Sequence, residues 1–176
     1  MRYRRANVPG ATYFFTVNLQ DRRSQLLTEH IDALRAAFRS VQARYPFEII
    51  AMVVMPEHLH SIWQLPEGDV DFSLRWSLIK AAFSKALPKQ ENISNSREKK
   101  RERGIWQRRF WEHMVRDDDD LEKHVAYLHY NPVKHGYVDN ASAWPYSSLH
   151  KFIAKGMVDA NWGETAFAIE LPELDE

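Results

Sequence analysis

Two histidines one residue apart, His58 and His60, and a tyrosine four residues ahead of an asparagine, Tyr127 and Asn131, are the side chains whose types and spacing could do chemistry in this chain. On a strand, residues i and i+2 point to one side, about 6.6 Å apart at roughly 3.3 Å per residue. The two imidazoles then stand side by side while Leu59 faces the opposite layer. On a helix, residues i and i+4 lie one turn apart on one face, which pairs the phenol of Tyr127 with the amide of Asn131. Two imidazole nitrogens and one carbonyl oxygen, with positions open for phosphate oxygens, suit Mg²⁺ or Mn²⁺, and the imidazoles favour manganese. A free phenol has a pKa of about 10 and is a poor nucleophile at neutral pH until something helps it. A metal ion that draws charge from a scissile phosphate gives that help. A phosphotyrosine keeps the energy of the broken phosphodiester, so a second strand's hydroxyl can reseal it. Tyrosine therefore suits strand transfer better than hydrolysis, for which activated water is enough. Each pattern alone also has an ordinary reading: core or surface histidines for the first, a packed ring and a helix cap before Pro132 for the second.

These side chains need a strand and a helix to hold them, and the chain offers both. Ala11 to Leu19 reads as a strand rich in β-branched and aromatic residues. Thr28 is placed to cap a helix from Glu29 to about Arg44, with Ile31, Leu34, Ala37, Phe38 and Val41 as its apolar stripe. Phe47 to Met55 is a second strand, apolar on both faces and so central or covered. Pro56-Glu57 turns the chain, and His58 to Leu65 returns antiparallel as a third strand. Asp71 or Ser73 caps the next helix, to about Leu87, with Leu74, Leu78, Ala81, Ala82 and Phe83 inward. Pro88 to Gly104 is polar, charged and aperiodic, which predicts a mobile loop. Ile105 to Arg116 mixes strand-like aromatics with arginine. Asp117 to Asp120 opens a helix whose first-turn carboxylates favour the positive end of its dipole. It should end near Asn131-Pro132, because the residue before proline avoids helical geometry. WPYSSLHKF is a turn or short helix.

The order β-α-β-β-α-β plus a further helix predicts an α+β, ferredoxin-like split βαβ fold. Two helices cover one face of an antiparallel sheet, and the C-terminal helix bearing Tyr127 lies on the other face or across an edge. Residues 1–150 make one domain and residues 151–176 an acidic tail. With 176 residues and 44% apolar content, the chain is long enough for one core. It has no cysteine, which removes disulfides, thiolate catalysis and cysteine zinc sites. No stretch is long and apolar enough to span a membrane, and an intracellular protein is expected. Zero net charge hides an asymmetry: residues 1–116 carry 20 Lys and Arg against 12 Asp and Glu, residues 117–176 carry 4 against 12. A basic body suits a phosphate backbone.

Beyond spacing, longer segments resemble a family. His58-Leu59-His60 is similar to the HUH motif of single-tyrosine transposases. RRFWEHMVRDDDDLEKHVAYLHYNPVKHGYV and WPYSSLH resemble its REP-associated branch, as do YRRANVPGATYFFTVNLQDRRSQLL and AMVVMPEHLHSIWQLPEGDVDFSLRWSLIK. The resemblance covers most of residues 3–150. It implies an enzyme that cuts single-stranded DNA beside hairpins of repetitive extragenic palindromes, leaving a 5′-phosphotyrosine and a free 3′-hydroxyl. By position, Tyr127 would be the nucleophile, and His58, His60 and Asn131 the ligands of Mg²⁺ or Mn²⁺. Insertion-sequence relatives often carry glutamine where Asn131 stands, and they act as dimers. The REP-associated branch implies a monomer in the bacterial cytoplasm, at the nucleoid. Arg4, Arg5, Arg22, Arg23, Arg108 and Arg109 are candidates for phosphates or guanine edges; Trp106, Phe110 and Trp111 for stacking on unpaired bases.

Three other readings compete. A zinc hydrolase would join His124 or His129 to the pair, yet no HExxH pattern is present. A DNA-binding protein without catalysis would use the same basic, aromatic surface. Replication-initiator nucleases share the HUH pair but lack the NPVKHG context.

Overall fold

The computed structural model describes residues 7–91 and 93–163. Its elements run β1 (Thr12–Asn18), α1 (Leu26–Glu29), α2 (Ile31–Arg44), β2 (Glu48–Val54), β3 (His58–Gln64), α3 (Phe72–Ala86), α4 (Asn95–Lys99), β4 (Trp111–Met114), α5 (Asp118–Lys134), a 3₁₀ turn (Ala141–Ala143) and α6 (Leu149–Ala154). The strands form one antiparallel sheet in the order β2-β3-β1-β4, the split βαβ arrangement expected from the element order.

Strand periodicity sorts the core into two layers. Tyr13, Phe15 and Val17 of β1 and Leu59 and Trp63 of β3 face α2 and α3, where they meet Leu34, Phe38, Trp76, Ile79 and Phe83. Trp63 stacks on Trp76 with ring centroids 4.3 Å apart. The alternate residues Phe14, Ala51, Val53 and Ile62 face α5 and pack on Tyr127 and Leu128. The helix bearing Tyr127 therefore covers the second face of the sheet. Pairing of β1 with β3 sets Thr16 opposite His60 and Asn18 opposite His58, so the histidine side of β3 looks toward α5.

Several local expectations are corrected. Thr28 lies inside the one-turn α1, and α2 starts after His30. β2 is an edge strand, and it is covered: Val54 N–H donates to Tyr146 O at 2.8 Å, Ser148 N–H to Met52 O at 2.8 Å, and the Trp144 indole to Val54 O at 2.9 Å. WPYSS thus satisfies an edge that would otherwise be open to pairing. Asp71 caps α3 by accepting from Leu74 N–H at 2.9 Å, but the buried face is Phe72, Arg75, Trp76, Ile79 and Phe83 while Leu74 is 38% exposed. Arg75 enters the core because Asp69 takes its guanidinium at 2.6 and 3.1 Å and the carbonyls of Tyr45, Pro46 and Asp71 accept the rest.

The segment after α3 is folded rather than the structureless loop its composition suggests. Arg103 donates to Glu91 and to the carbonyls of Ser84, Leu87 and Pro88, and α4 closes on Arg101 at φ 56°. There Arg101 N–H bonds Glu98 O at 3.0 Å and Glu102 N–H bonds Arg97 O at 2.8 Å. Glycine is the usual occupant of that left-handed position, and an L side chain there costs about 1 kcal/mol. Of Ile105 to Arg116, only Trp111–Met114 pairs as a strand, with one further bridge between Leu19 and Trp106.

Candidate active site

The Pro56-Glu57 turn, closed by Met55 N–H on His58 O at 2.8 Å, starts β3 with both histidines on the α5 side. Both are buried, and their ring centroids are 5.0 Å apart. Each ring is fixed through Nδ1. That of His58 lies 2.8 Å from Glu57 Oε1, and that of His60 lies 2.9 Å from Thr16 Oγ1. The Glu57 carboxylate accepts Nδ1–H of His58, and with Nδ1 of His60 engaged by Thr16, Nε2 is the nitrogen each ring would offer to an ion.

From the other side α5 brings Asn131, fully buried, with Oδ1 3.2 Å from His58 Nε2. Tyr127 lies one turn earlier on the same face, its ring 5.4 Å from that of His60. Lys134 Nζ donates to the Tyr127 hydroxyl at 3.1 Å, and the His135 ring is 5.1 Å from that of His58. In the His58 tautomer set by Glu57, Nε2 and Asn131 Oδ1 are both acceptors. Two acceptors at 3.2 Å repel unless a proton on Nε2 or a metal cation lies between them, and adjacent ligands of one small divalent ion stand about 3 Å apart. The donor set therefore fits a divalent ion bound by His58, His60 and Asn131. The C-terminal carbonyl end of α5 adds partial negative charge in the same place.

Glu57 is mostly buried and stays ionised. Burial alone would raise its pKa, but the hydrogen bond and charge of His58 and the charge of Arg22 hold it below the usual carboxylate range. Arg22 Nη2 is 3.8 Å from Glu57 Oε1, and Tyr137 donates to Glu57 Oε2 at 3.4 Å. Burial, with the neighbouring carboxylate, pushes the Tyr137 phenol up.

The local sequence NPVKHGY explains how one helix end delivers so much. α5 continues through Pro132 to Lys134, one turn beyond the expected stop. Proline has no N–H to give to the carbonyl four residues back, but its fixed φ matches a helix. Gly136, at φ 71°, then ends the helix: Gly136 N–H bonds Val133 O at 2.9 Å and Tyr137 N–H bonds Pro132 O at 2.9 Å. This left-handed cap turns the chain so that Tyr137 reaches Glu57.

The remaining candidates scatter. Arg22 belongs to the site through Glu57 and a bond to Asn18 Oδ1, whereas Arg23 pairs with Asp21 in the open. Trp106 is 7% exposed and packs on Phe83, a core residue with no face for a base. Phe110 packs on Phe15, Phe72 and Trp76 in the α3 layer. Trp111 is half-buried against Phe14 on the α5 side. Arg108 pairs with Glu102 at 2.9 Å, and Arg109 is exposed. Arg4 and Arg5 lie outside the described residues. Glu57, Thr16, Lys134 and Tyr137 were not singled out from sequence; only their closeness to HLH and NPV could have drawn notice.

Neither spare histidine joins the pair. His129 Nε2 is 2.8 Å from Ser148 Oγ, and His124 Nδ1 is 2.7 Å from Asp120 O. His113, Asp120 and His124 do cluster within 4.8 Å. However, Asp120 already accepts from His113 Nε2 at 2.8 Å, Arg116 N–H at 3.0 Å and Arg116 Nε at 3.2 Å. The group is a clasp between β4 and the first turn of α5.

The family model described as "Transposase IS200 like" matches residues 7–131. A REP-associated tyrosine transposase of Escherichia coli (strain K12) is 49% identical over 160 residues, 91% of this chain and 89% of that one. A chain from Haemophilus influenzae is 46% identical over 162 residues, 92% of each. A solved structure of a REP-associated tyrosine transposase bound to a REP hairpin has a TM-score of 0.80 and 44% identity, covering 99% of both chains.

Proposed function

Because this chain belongs to the IS200-like transposase family, a family of DNA-cleaving enzymes, we propose that it cuts and rejoins single-stranded DNA beside REP-type hairpins through a 5′-phosphotyrosine. The observation that carries this reading is the meeting of two anchored imidazoles, a buried amide oxygen and a phenol at one point between β3 and α5. The relative of known structure that covers nearly the whole chain was solved with a REP hairpin, and 44% identity supports carrying that substrate class over.

Tyr127 Oη attacks phosphorus; the P–O3′ bond breaks, the 5′-phosphate stays on the tyrosine, and the 3′-oxygen takes a proton from water and leaves as a hydroxyl. Lys134, 3.1 Å from Oη, stands where negative charge develops as the phenol gives its proton to water. Glu57 holds a proton on His58 Nδ1, and Glu57 and Thr16 together fix the orientation of the two rings. A divalent ion, Mn²⁺ or Mg²⁺, on His58, His60 and Asn131 would supply Lewis acidity toward the non-bridging phosphate oxygens. Attack by a 3′-hydroxyl on the phosphotyrosine reverses the step and transfers the strand without ATP.

The test is a covalent adduct with a single-stranded hairpin oligonucleotide and Mn²⁺ or Mg²⁺, read on a denaturing gel. Tyr127→Phe should abolish the adduct and leave hairpin binding intact, whereas Tyr130→Phe should keep both. Tight binding with no adduct under either metal would instead establish a non-catalytic hairpin-binding protein.

A further inference from the structure

Stacking on an unpaired base needs an aromatic ring with an open face, and the three rings named for it from sequence lack one. Trp106 is core, Phe110 packs in the α3 layer and Trp111 lies against Phe14. Tyr137, at 45% exposure, is the one exposed phenylalanine, tyrosine or tryptophan among the described residues. It stands at the rim of the candidate site: its hydroxyl donates to Glu57 Oε2 at 3.4 Å, and Glu57 Oε1 lies 2.8 Å from His58 Nδ1.

The ring is held from several sides. The cap after α5 fixes its backbone through Tyr137 N–H on Pro132 O at 2.9 Å. Trp144 lies beside it with ring centroids 5.3 Å apart, and the Trp144 indole is itself tied to Val54 O. A side chain so restrained loses little further freedom when a base settles on it. Burial and the Glu57 carboxylate push the Tyr137 phenol up, so it stays neutral and does not repel a phosphate. Arg22, exposed and 3.8 Å from the same carboxylate, puts a cation on the same rim.

We propose that Tyr137 is the stacking platform for one unpaired base next to the scissile phosphate, with Arg22 on the backbone of that nucleotide. The platform presupposes that single-stranded DNA is cut at Tyr127, and it adds a nucleobase subsite to that reading. Every base has a π-face, so the subsite tolerates all four; the larger purine face should bind best.

The test uses the full chain carrying Tyr127→Phe, which leaves DNA uncut, and fluorescence anisotropy in chelator with a hairpin that has an unpaired flank on each side. Adding Tyr137→Ala should weaken binding roughly tenfold, the loss of one base–aromatic stack. Tyr137→Leu, which keeps an apolar contact with Trp144 but has no π-face, should match it. Tyr137→Phe should stay within twofold of the parent, because it keeps the ring and loses only the bond to Glu57. A blunt hairpin should bind all four proteins equally. A single abasic nucleotide walked along the flanks then locates the base: at one position it should cost about tenfold in the parent and nothing more in the Tyr137→Leu protein. Equal losses in Tyr137→Phe and Tyr137→Leu overturn the platform and leave Tyr137 only its tie to Glu57. A Tyr137→Leu effect within twofold, or one of the same size on the blunt hairpin, overturns it as well. If the non-additive position is found but the wild type forms no adduct with Mn²⁺ or Mg²⁺, the subsite stands and the phosphotyrosine chemistry falls. An adduct with no non-additive position gives the reverse.

Discussion

Replacing Glu57 separates the imidazole that would hold the metal from the group that orients it. Glu57 makes one short contact, 2.8 Å to His58 Nδ1, and two long ones, 3.8 Å to Arg22 and 3.4 Å from Tyr137. Its principal work is therefore on the ring, where it fixes the Nδ1–H tautomer and raises the basicity of Nε2. Loss of such an outer partner typically weakens metal binding by about 10- to 100-fold, or ~1.4 to ~2.7 kcal/mol. Glu57→Gln keeps an acceptor for Nδ1–H and loses only the charge, so it belongs at the tenfold end. Glu57→Ala loses both and belongs near a hundredfold. Mn²⁺ affinity, read from the free-ion signal in electron paramagnetic resonance with no DNA present, measures this without relying on turnover. Hairpin binding in chelator should match wild type, which shows that the fold survives. Mn²⁺ affinity in Glu57→Ala within twofold of wild type would refute the orienting role, and with it the tautomer assigned to His58.

Three further outcomes concern stability. His129 is pushed down to about 4 by burial and by the charge of His150. Its folded value lies below the unfolded one of about 6.5, so its contribution is whole above that pH and declines as pH falls toward 4, by up to about 3 kcal/mol. Urea melts between pH 7 and 4.5 should show this loss in wild type and a flatter profile in His129→Gln. For Asp120, burial would raise the carboxyl, but the Arg116 and His113 hydrogen bonds hold it well below the ordinary range; the stability it adds is present above about pH 4 and lost below. Asp120→Asn should cost about 2 kcal/mol at pH 7, with the gap to wild type closing in acid. At Gly136 a Cβ would meet nothing within 4 Å, so Gly136→Ala should cost about 1 kcal/mol from backbone strain alone, seen as a lower Tm. An unchanged Tm would show that the left-handed cap does not hold the end of α5.

The sheet order and the hairpin that starts β3 were legible because each rests on strong periodicity or on an obligatory turn, whereas for α5 the sequence left the second face and a sheet edge both open. The pairing of HxH with YxxxN was legible for the same reason: period two and period 3.6 decide which side chains share a face. Positions that failed did so where a tertiary partner overrode the local pattern. Arg75 is buried because Asp69 and three carbonyls satisfy it, which shifts the buried face of α3 away from Leu74. β2 reads as central or covered because it is apolar on both faces, and it is the second: WPYSS covers its edge from 96 residues away in sequence. Segment 88–104 lacks a hydrophobic period and still folds, because Arg103 binds Glu91 and three carbonyls.

The end of α5 is where local rules and function conflict, and the conflict is informative. Proline after Asn131 argues for a stop at the very residue that must stay helical to aim its amide at His58. The chain resolves this by delaying the stop to Gly136, whose left-handed cap recaptures the carbonyls of Pro132 and Val133. Within that extra turn fall Lys134 beside the Tyr127 hydroxyl and His135 beside His58, and the cap then directs Tyr137 onto Glu57. A helix ending at Asn131 would keep the phenol of Tyr127 and the amide, but it would lose the cation at the phenol and the tie to the carboxylate behind His58. The spacing from Tyr127 to Tyr137 is thus set by where the helix ends as much as by which residues react.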